Sequence, residues 1–166
     1  NLDFFECDLS LVANVKDLSD KIKQKYSKID VLLNNAGGAN KTKQITTEGL
    51  EKTFATNQMN YFVLSTELLE IISESNDGRI VNVASNAHIG AEVDYENINS
   101  EKSFSAWTSY CVSKLMNIMF TYQLSSIQDK VSVNVLHRIL AQKLIMKISI
   151  LKLSLIHISE PTRPMN

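Results

Sequence analysis

The chain has 166 residues, 44% hydrophobic and 21% charged, with a formal net charge of -1. That length and balance suit one globular domain with a sizeable core. The near-neutral charge gives no reason to expect nucleic acid or an anionic membrane as partner.

Two cysteines, Cys7 and Cys111, make neither a disulfide framework nor a metal site, and the expectation is a reduced, intracellular setting. His88, His137 and His157 show no metal-ligand spacing. The opening "NLDFFECDLS" lacks the basic and apolar regions of a signal peptide. It has no Met and runs straight into a strand-like segment, so it does not read as a protein's start. "ISILKLSLIHI" is interrupted by Lys152 and falls short of the ~20 residues a membrane span needs.

In chain order, "LDFFEC" reads as a short buried strand ending at Asp8, with Ser10 as cap of the next helix. Val12, Val15, Leu18, Ile22 and Tyr26 then recur at helical spacing. "IDVLL" is a compact apolar run followed by the turn-forming "NNAGG". A long helix is expected from Thr47, with Leu50, Phe54, Asn57, Tyr61, Leu64, Leu68 and Ile71 on one stripe and Gly78 as terminator. "RIVNVAS" reads as a strand. A polar connection from Asn86 to Ser105 leads to a helix carrying "YCVSK", and "VSVNVL" is a final strand. This alternation argues an α/β fold with a parallel sheet. Ligands of such sheets bind at the carboxyl ends of the strands, where Asp8, Asn34 to Gly38, Ala84 and Ser85 fall.

Two features stand out. Tyr110 and Lys114 lie one helical turn apart, and an ammonium there makes the phenol a usable proton donor or acceptor. The pair alone is a weak motif. Asn57 sits within an apolar stripe, where an unpartnered amide costs roughly 1–3 kcal/mol, so it must bond something specific. A structural bond to a nearby carbonyl is one reading.

"CDLS", "NNAGG", "TNQMNYF", "RIVNVASNAH", "SEKSF" and "YCVSKLMN", in this order over residues 1 to 137, resemble the short-chain dehydrogenase/reductase family. The gap from Ser85 to Tyr110 is similar to the longer loop of its retinol-dehydrogenase-like branch. The resemblance implies a Rossmann-like doubly wound sheet and a hydride transfer between NAD(P)(H) and a carbonyl or alcohol. It implies Tyr110 as catalytic acid or base, with Lys114 assisting it and binding the nicotinamide ribose. Ser85 would stabilise charge on the substrate oxygen. Asn57 would hold a water in the relay behind Lys114. By the same resemblance Asp8 contacts the adenine with Leu9 beside it, while Asn35, Ala36 and Gly37 line the adenine ribose. Asp8 alone reads equally as a helix cap, Ser85 as a strand-end turn residue, and Asn35 as a tie between strands. His88, Trp107 and Cys111 are left as packing or surface residues.

The sheet is expected to be incomplete. The family's first two strands with their Gly-rich phosphate-binding turn, and its last strand, find no counterpart here. Residues 138–152 have no family match and suggest a frameshift, an intron or a divergent helix. Within residues 153–166, "LSLIHISEPTR" resembles a translated sequencing adapter, with a disordered native tail as the alternative. The cofactor is therefore NADP or NAD, with NADP favoured by the branch alone. The expected partner is a small carbonyl or alcohol, open to lipophilic and retinoid-like molecules. The full-length parent would be cytoplasmic or membrane-associated, with a homo-oligomer left open. The alternative function is a non-catalytic NAD(P)-binding sensor or scaffold, which loss of the tyrosine or lysine would favour. Both are present.

Overall fold

A computed structural model describes residues 2–137. The readings made for 138–152 and 153–166 lie outside the described residues.

Three strands form one parallel sheet in the order β1-β2-β3: β1 (Val31–Asn34), β2 (Arg79–Ala84) and β3 (Ser132–His137). Val31 pairs with Arg79 and Asn34 with Asn82 at one interface, Arg79 with Ser132 and Ala84 with His137 at the other. From Ile80 to Ala84 the central strand is buried at every position, as expected of a parallel strand covered on both faces.

Helix α1 (Val12–Lys25) buries Val15, Leu18 and Ile22 in one core with Leu64, Leu68 and Ile72 of α3 (Asn60–Ser73) and with Leu32 and Ile80 of the sheet. α4 (Ala106–Ile127) packs on β2 and β3, with Leu124 in the same core. Among the described residues no helix is long and apolar enough to cross a membrane. Cys7 and Cys111 are both free thiols.

Several expectations need correction. "LDFFEC" has no regular secondary structure and alternates between exposed and half-buried, and it joins no sheet among the described residues. Phe5 and Cys7 pack against the core, while Leu2 and Phe4 face solvent. Ser10 does not cap α1. Its hydroxyl donates to Asp8, and the first amides of α1, Val12 and Ala13, donate instead to the Glu48 carboxylate at 2.6 and 2.9 Å. A carboxylate there satisfies orphan amides and complements the helix dipole.

The second helix starts at Lys52, not Thr47. Thr46 to Gly49 make a turn closed by the Gly49 amide on the Thr46 carbonyl, and Glu51 caps the helix by accepting from the amides of Thr53 and Phe54. The helix then runs as α2 (Lys52–Phe54), a π-helical segment (Ala55–Met59) and α3. The wider turn leaves Ile72, not Ile71, fully buried at its far end. Gly78 serves close approach: a Cβ there would lie 2.4 Å from the Ile72 carbonyl oxygen.

Candidate active site

The site forms where β2 ends beside α4. Ser85 follows Ala84, and its hydroxyl accepts the Ala87 amide at 3.2 Å, opening a short 3-10 turn over Asn86–His88. This fixes the Oγ, while its own proton has no acceptor among the described residues. The Ser85 carbonyl lies 2.6 Å from His88 Nδ1.

Ser105 caps α4 through the Thr108 amide. Lys114, Asn117, Thr121 and Leu124 are the buried face turned to the sheet. Tyr110, one turn before Lys114, is half-buried, and the exposed Trp107 ring lies 6.0 Å from its ring. Lys114 is only 4% exposed, and a buried ammonium is costly unless its protons are met. Its Nζ donates to the Val83 carbonyl at 3.1 Å and lies 5.8 Å from the centre of the Tyr110 ring and 5.4 Å from that of Tyr61. Both distances are within cation–π range.

Asn57, in the π-helical segment, is completely buried. Its Oδ1 accepts the Gly38 amide, and its Nδ2 donates to the Gly38 carbonyl and to Ser113 Oγ, each at 2.9 Å. The bond to a nearby carbonyl is thus present. Gly37 is the point where turn, helix and lysine meet. A Cβ there would sit 2.6 Å from Asn57 Oδ1 and 3.5 Å from Lys114 Nζ, so the position has no room for a side chain.

Asn35 is exposed, and the asparagine that ties the strands is its neighbour Asn34. Asn34 Nδ2 donates to Asn82 Oδ1 at 2.8 Å and to Ser65 Oγ at 3.0 Å, and Asn82 donates to Thr121 Oγ1 at 3.0 Å. Thr121 donates to the Asn117 carbonyl, and Asn117 shares the Val83 carbonyl with Lys114. This buried polar layer runs from α3 through the sheet to the lysine. Sequence reasoning missed it. The available signal was a polar residue closing one apolar run, Asn34, another interrupting a second run, Asn82, and Thr121 on a helix face.

The remaining sequence candidates lie nearby or apart. Ala36 is half-buried against the core that also holds Leu9, and Gly37 is exposed beside Asn57 and Lys114. Asp8 is exposed, and its carboxylate accepts the Ser10 amide and hydroxyl at 2.9 and 2.7 Å, a turn leading into α1. No described hydrogen bond joins Asp8 to the Tyr110 region. A separate cavity of about 240 Å3 is lined by Glu51, Glu92, Asp94, Ser109, Val112 and Ser113. Neither Tyr110 nor Ser85 is among its lining residues, while Ser113 joins it to Asn57.

The donor set suits the nicotinamide end of a dinucleotide. A lysine ammonium and a phenol on one helix can meet ribose hydroxyls. Among the described residues the phosphate end has no such cradle. Its five glycines form no Gly-rich turn, and Glu48 already holds the first amides of α1.

Comparison with known proteins agrees with this geometry. Residues 1–138 match the short chain dehydrogenase family, and the chain belongs to that family. It is 36% identical over 134 residues to Retinol dehydrogenase 14 of Mus musculus, covering 80% of this chain and 40% of that protein. Among solved structures, an uncharacterized protein from Mycobacterium Paratuberculosis superposes with a TM-score of 0.69 at 29% identity, over 80% of this chain and 48% of that one. The Pseudomonas aeruginosa RhlG/NADP active-site complex does so with a TM-score of 0.59 at 25% identity, over 78% and 49%. The retinol-dehydrogenase-like branch and the Rossmann-like parallel sheet expected from sequence are both borne out. The chain spans about 40% of the length of the curated relatives it matches.

Proposed function

We propose that this chain is the catalytic portion of an NAD(P)-dependent oxidoreductase acting on a carbonyl or alcohol. The observation that carries the reading is the buried Lys114 ammonium, held 5.8 Å from the Tyr110 ring at the end of the central strand. NAD(P), when bound, supplies or accepts the hydride. In reduction, Tyr110 gives its phenolic proton to the substrate oxygen, and in oxidation it takes that proton back. Lys114 favours the negative charge that develops on the phenolic oxygen, and it binds the nicotinamide ribose. Ser85 donates its hydroxyl proton to the substrate oxygen. Asn57 belongs to the relay behind Lys114: its Oδ1 accepts one amide and keeps a lone pair for a water. Asp8, Leu9, Asn35, Ala36 and Gly37 are assigned to the adenosine side.

NADP is the preferred cofactor, a reading supported by the branch and by the NADP complex of RhlG. A lipophilic, retinoid-like substrate is supported by the name of the Mus musculus relative. The full-length protein is assigned to the cytoplasm or a membrane surface.

In the full-length protein, Tyr110→Phe is expected to lower kcat by ~100-fold or more while nucleotide affinity stays within about twofold. Residual activity within ~10-fold of the parent, or ~1.4 kcal/mol of barrier, would remove Tyr110 from the acid/base role. The 166-residue chain alone is expected to bind no NAD(P)H, because the described residues hold no Gly-rich phosphate turn and leave β1 at a sheet edge. Calorimetric titration beside a thermal melt tests this. Micromolar affinity with a cooperative melt would show that the chain needs nothing further.

A further inference from the structure

We propose that Tyr61 is a positioning residue for this reaction: the face of its ring holds the Lys114 ammonium in place beside Tyr110. The inference rests on the roles given above to Tyr110 and Lys114. Tyr61 lies in the first turn of α3, four residues after Asn57, and is 1% exposed. Its ring centre is 5.4 Å from Lys114 Nζ, slightly nearer than that of Tyr110. The ammonium is therefore within cation–π range of two aromatic rings, with the Val83 carbonyl at 3.1 Å as a further fixed point. A lysine has four rotatable bonds, and in a site shut off from water a ring face attracts a cation more strongly than at a surface.

The contribution runs through the ring. The Tyr61 hydroxyl is buried and has no hydrogen-bond partner among the described residues. Burial drives its pKa well above the ordinary phenol range, and the charge of Tyr110 pushes the same way. Tyr61 thus stays neutral and does not compete with Tyr110 as an acid. Among the described residues, the groups facing the ammonium include Tyr61 from α3, Tyr110 from α4, the Val83 carbonyl from β2, and the uncharged Gly37 with its neighbour Asn57.

The test compares Tyr61→Phe, which keeps a ring, with Tyr61→Leu, which does not, in the full-length protein. The readouts are the pH profile of alcohol oxidation and NADPH binding by fluorescence titration. Tyr61→Leu is expected to move the rise of the profile up by ~0.5–1 pH unit and to weaken NADPH binding several-fold. Tyr61→Phe should stay within ~0.3 unit of the parent. A merely structural role would lower the melting temperature and leave the profile in place, and that result in Tyr61→Leu overturns the proposal. So does a Tyr61→Phe profile that moves as far as that of Tyr61→Leu, since the effect would then belong to the hydroxyl. Should Tyr61→Leu fail to fold, Tyr61→Met is read by the same criteria. Activity retained in Tyr110→Phe would instead defeat the underlying reading, so the two failures are distinct.

Discussion

"RIVNVA" and "LDFFEC" are alike as sequences, short apolar runs with two polar or charged residues each, yet they end in different states. The first is the middle strand of the sheet, buried from Ile80 to Ala84 and paired on both sides. The second has alternating exposure and no ladder partner among the described residues. Alternation and apolarity make a segment able to be a strand, and a neighbour at hydrogen-bonding distance makes it one. The residues proposed as catalytic draw on the paired region. Val83 holds Lys114, and Ser85 continues the same strand. The adenine-side candidate Asp8 stands at the end of the unpaired one.

The largest test of this contrast is Lys114→Ala in the full-length protein. Turnover should fall ~100-fold or more, cofactor binding should weaken, and oxidation should turn on at higher pH because the phenolate loses its neighbouring cation. An unchanged pH profile would separate Lys114 from Tyr110.

A second test pits the two regions against each other. Ile80→Ala empties a fully buried site in the central strand and should cost about 2–5 kcal/mol in denaturant unfolding. Phe5→Ala removes a half-buried ring from the unpaired segment and should cost less, about 1–2 kcal/mol. Equal losses would mean that the N-terminal segment is anchored as firmly as the sheet.

The smallest effect is in acid. Asp3 accepts from Lys25 at 2.6 Å and from the Tyr26 hydroxyl, which ties the segment to α1. Lys25 first, then Tyr26, holds the Asp3 carboxyl below its ordinary value of 3.8. A depressed carboxylate pKa stabilises the folded state above the ordinary value and loses that contribution as pH falls through the folded one. The segment should loosen as pH falls below the ordinary carboxylate value of 3.8 and through the lower folded one. Hydrogen exchange at Phe5 and Cys7, set against Val81, measures it, and a constant ratio would deny the tie.

Much of this was legible in the residues. The α1 stripe, the three paired strands and the Tyr110–Lys114 helix follow from local spacing, because each buries a face that its own pattern marks out. What escaped depends on distant groups. Ser10 has the right residue type for a cap, but Asp8 engages it and Glu48 takes the α1 amides. Thr47 begins a plausible helical stripe, but the carboxylate that caps the helix is on Glu51. The π-helical segment around Asn57 has no signature in periodicity, since one wide turn shifts the stripe by a single position. Asn34 and Asn35 are indistinguishable as neighbours until strand register places one inside the sheet and the other outside.

The bond from Glu48 to α1 has a consequence for assembly. A helix start normally settles through residues beside it, whereas α1 closes its first turn on a carboxylate 36 positions further along the chain. The amides of Val12 and Ala13 therefore act as a gauge of a remote event. Each opening of the loop that carries Glu48 uncovers them, and their exchange with solvent counts how often the two parts of the chain let go.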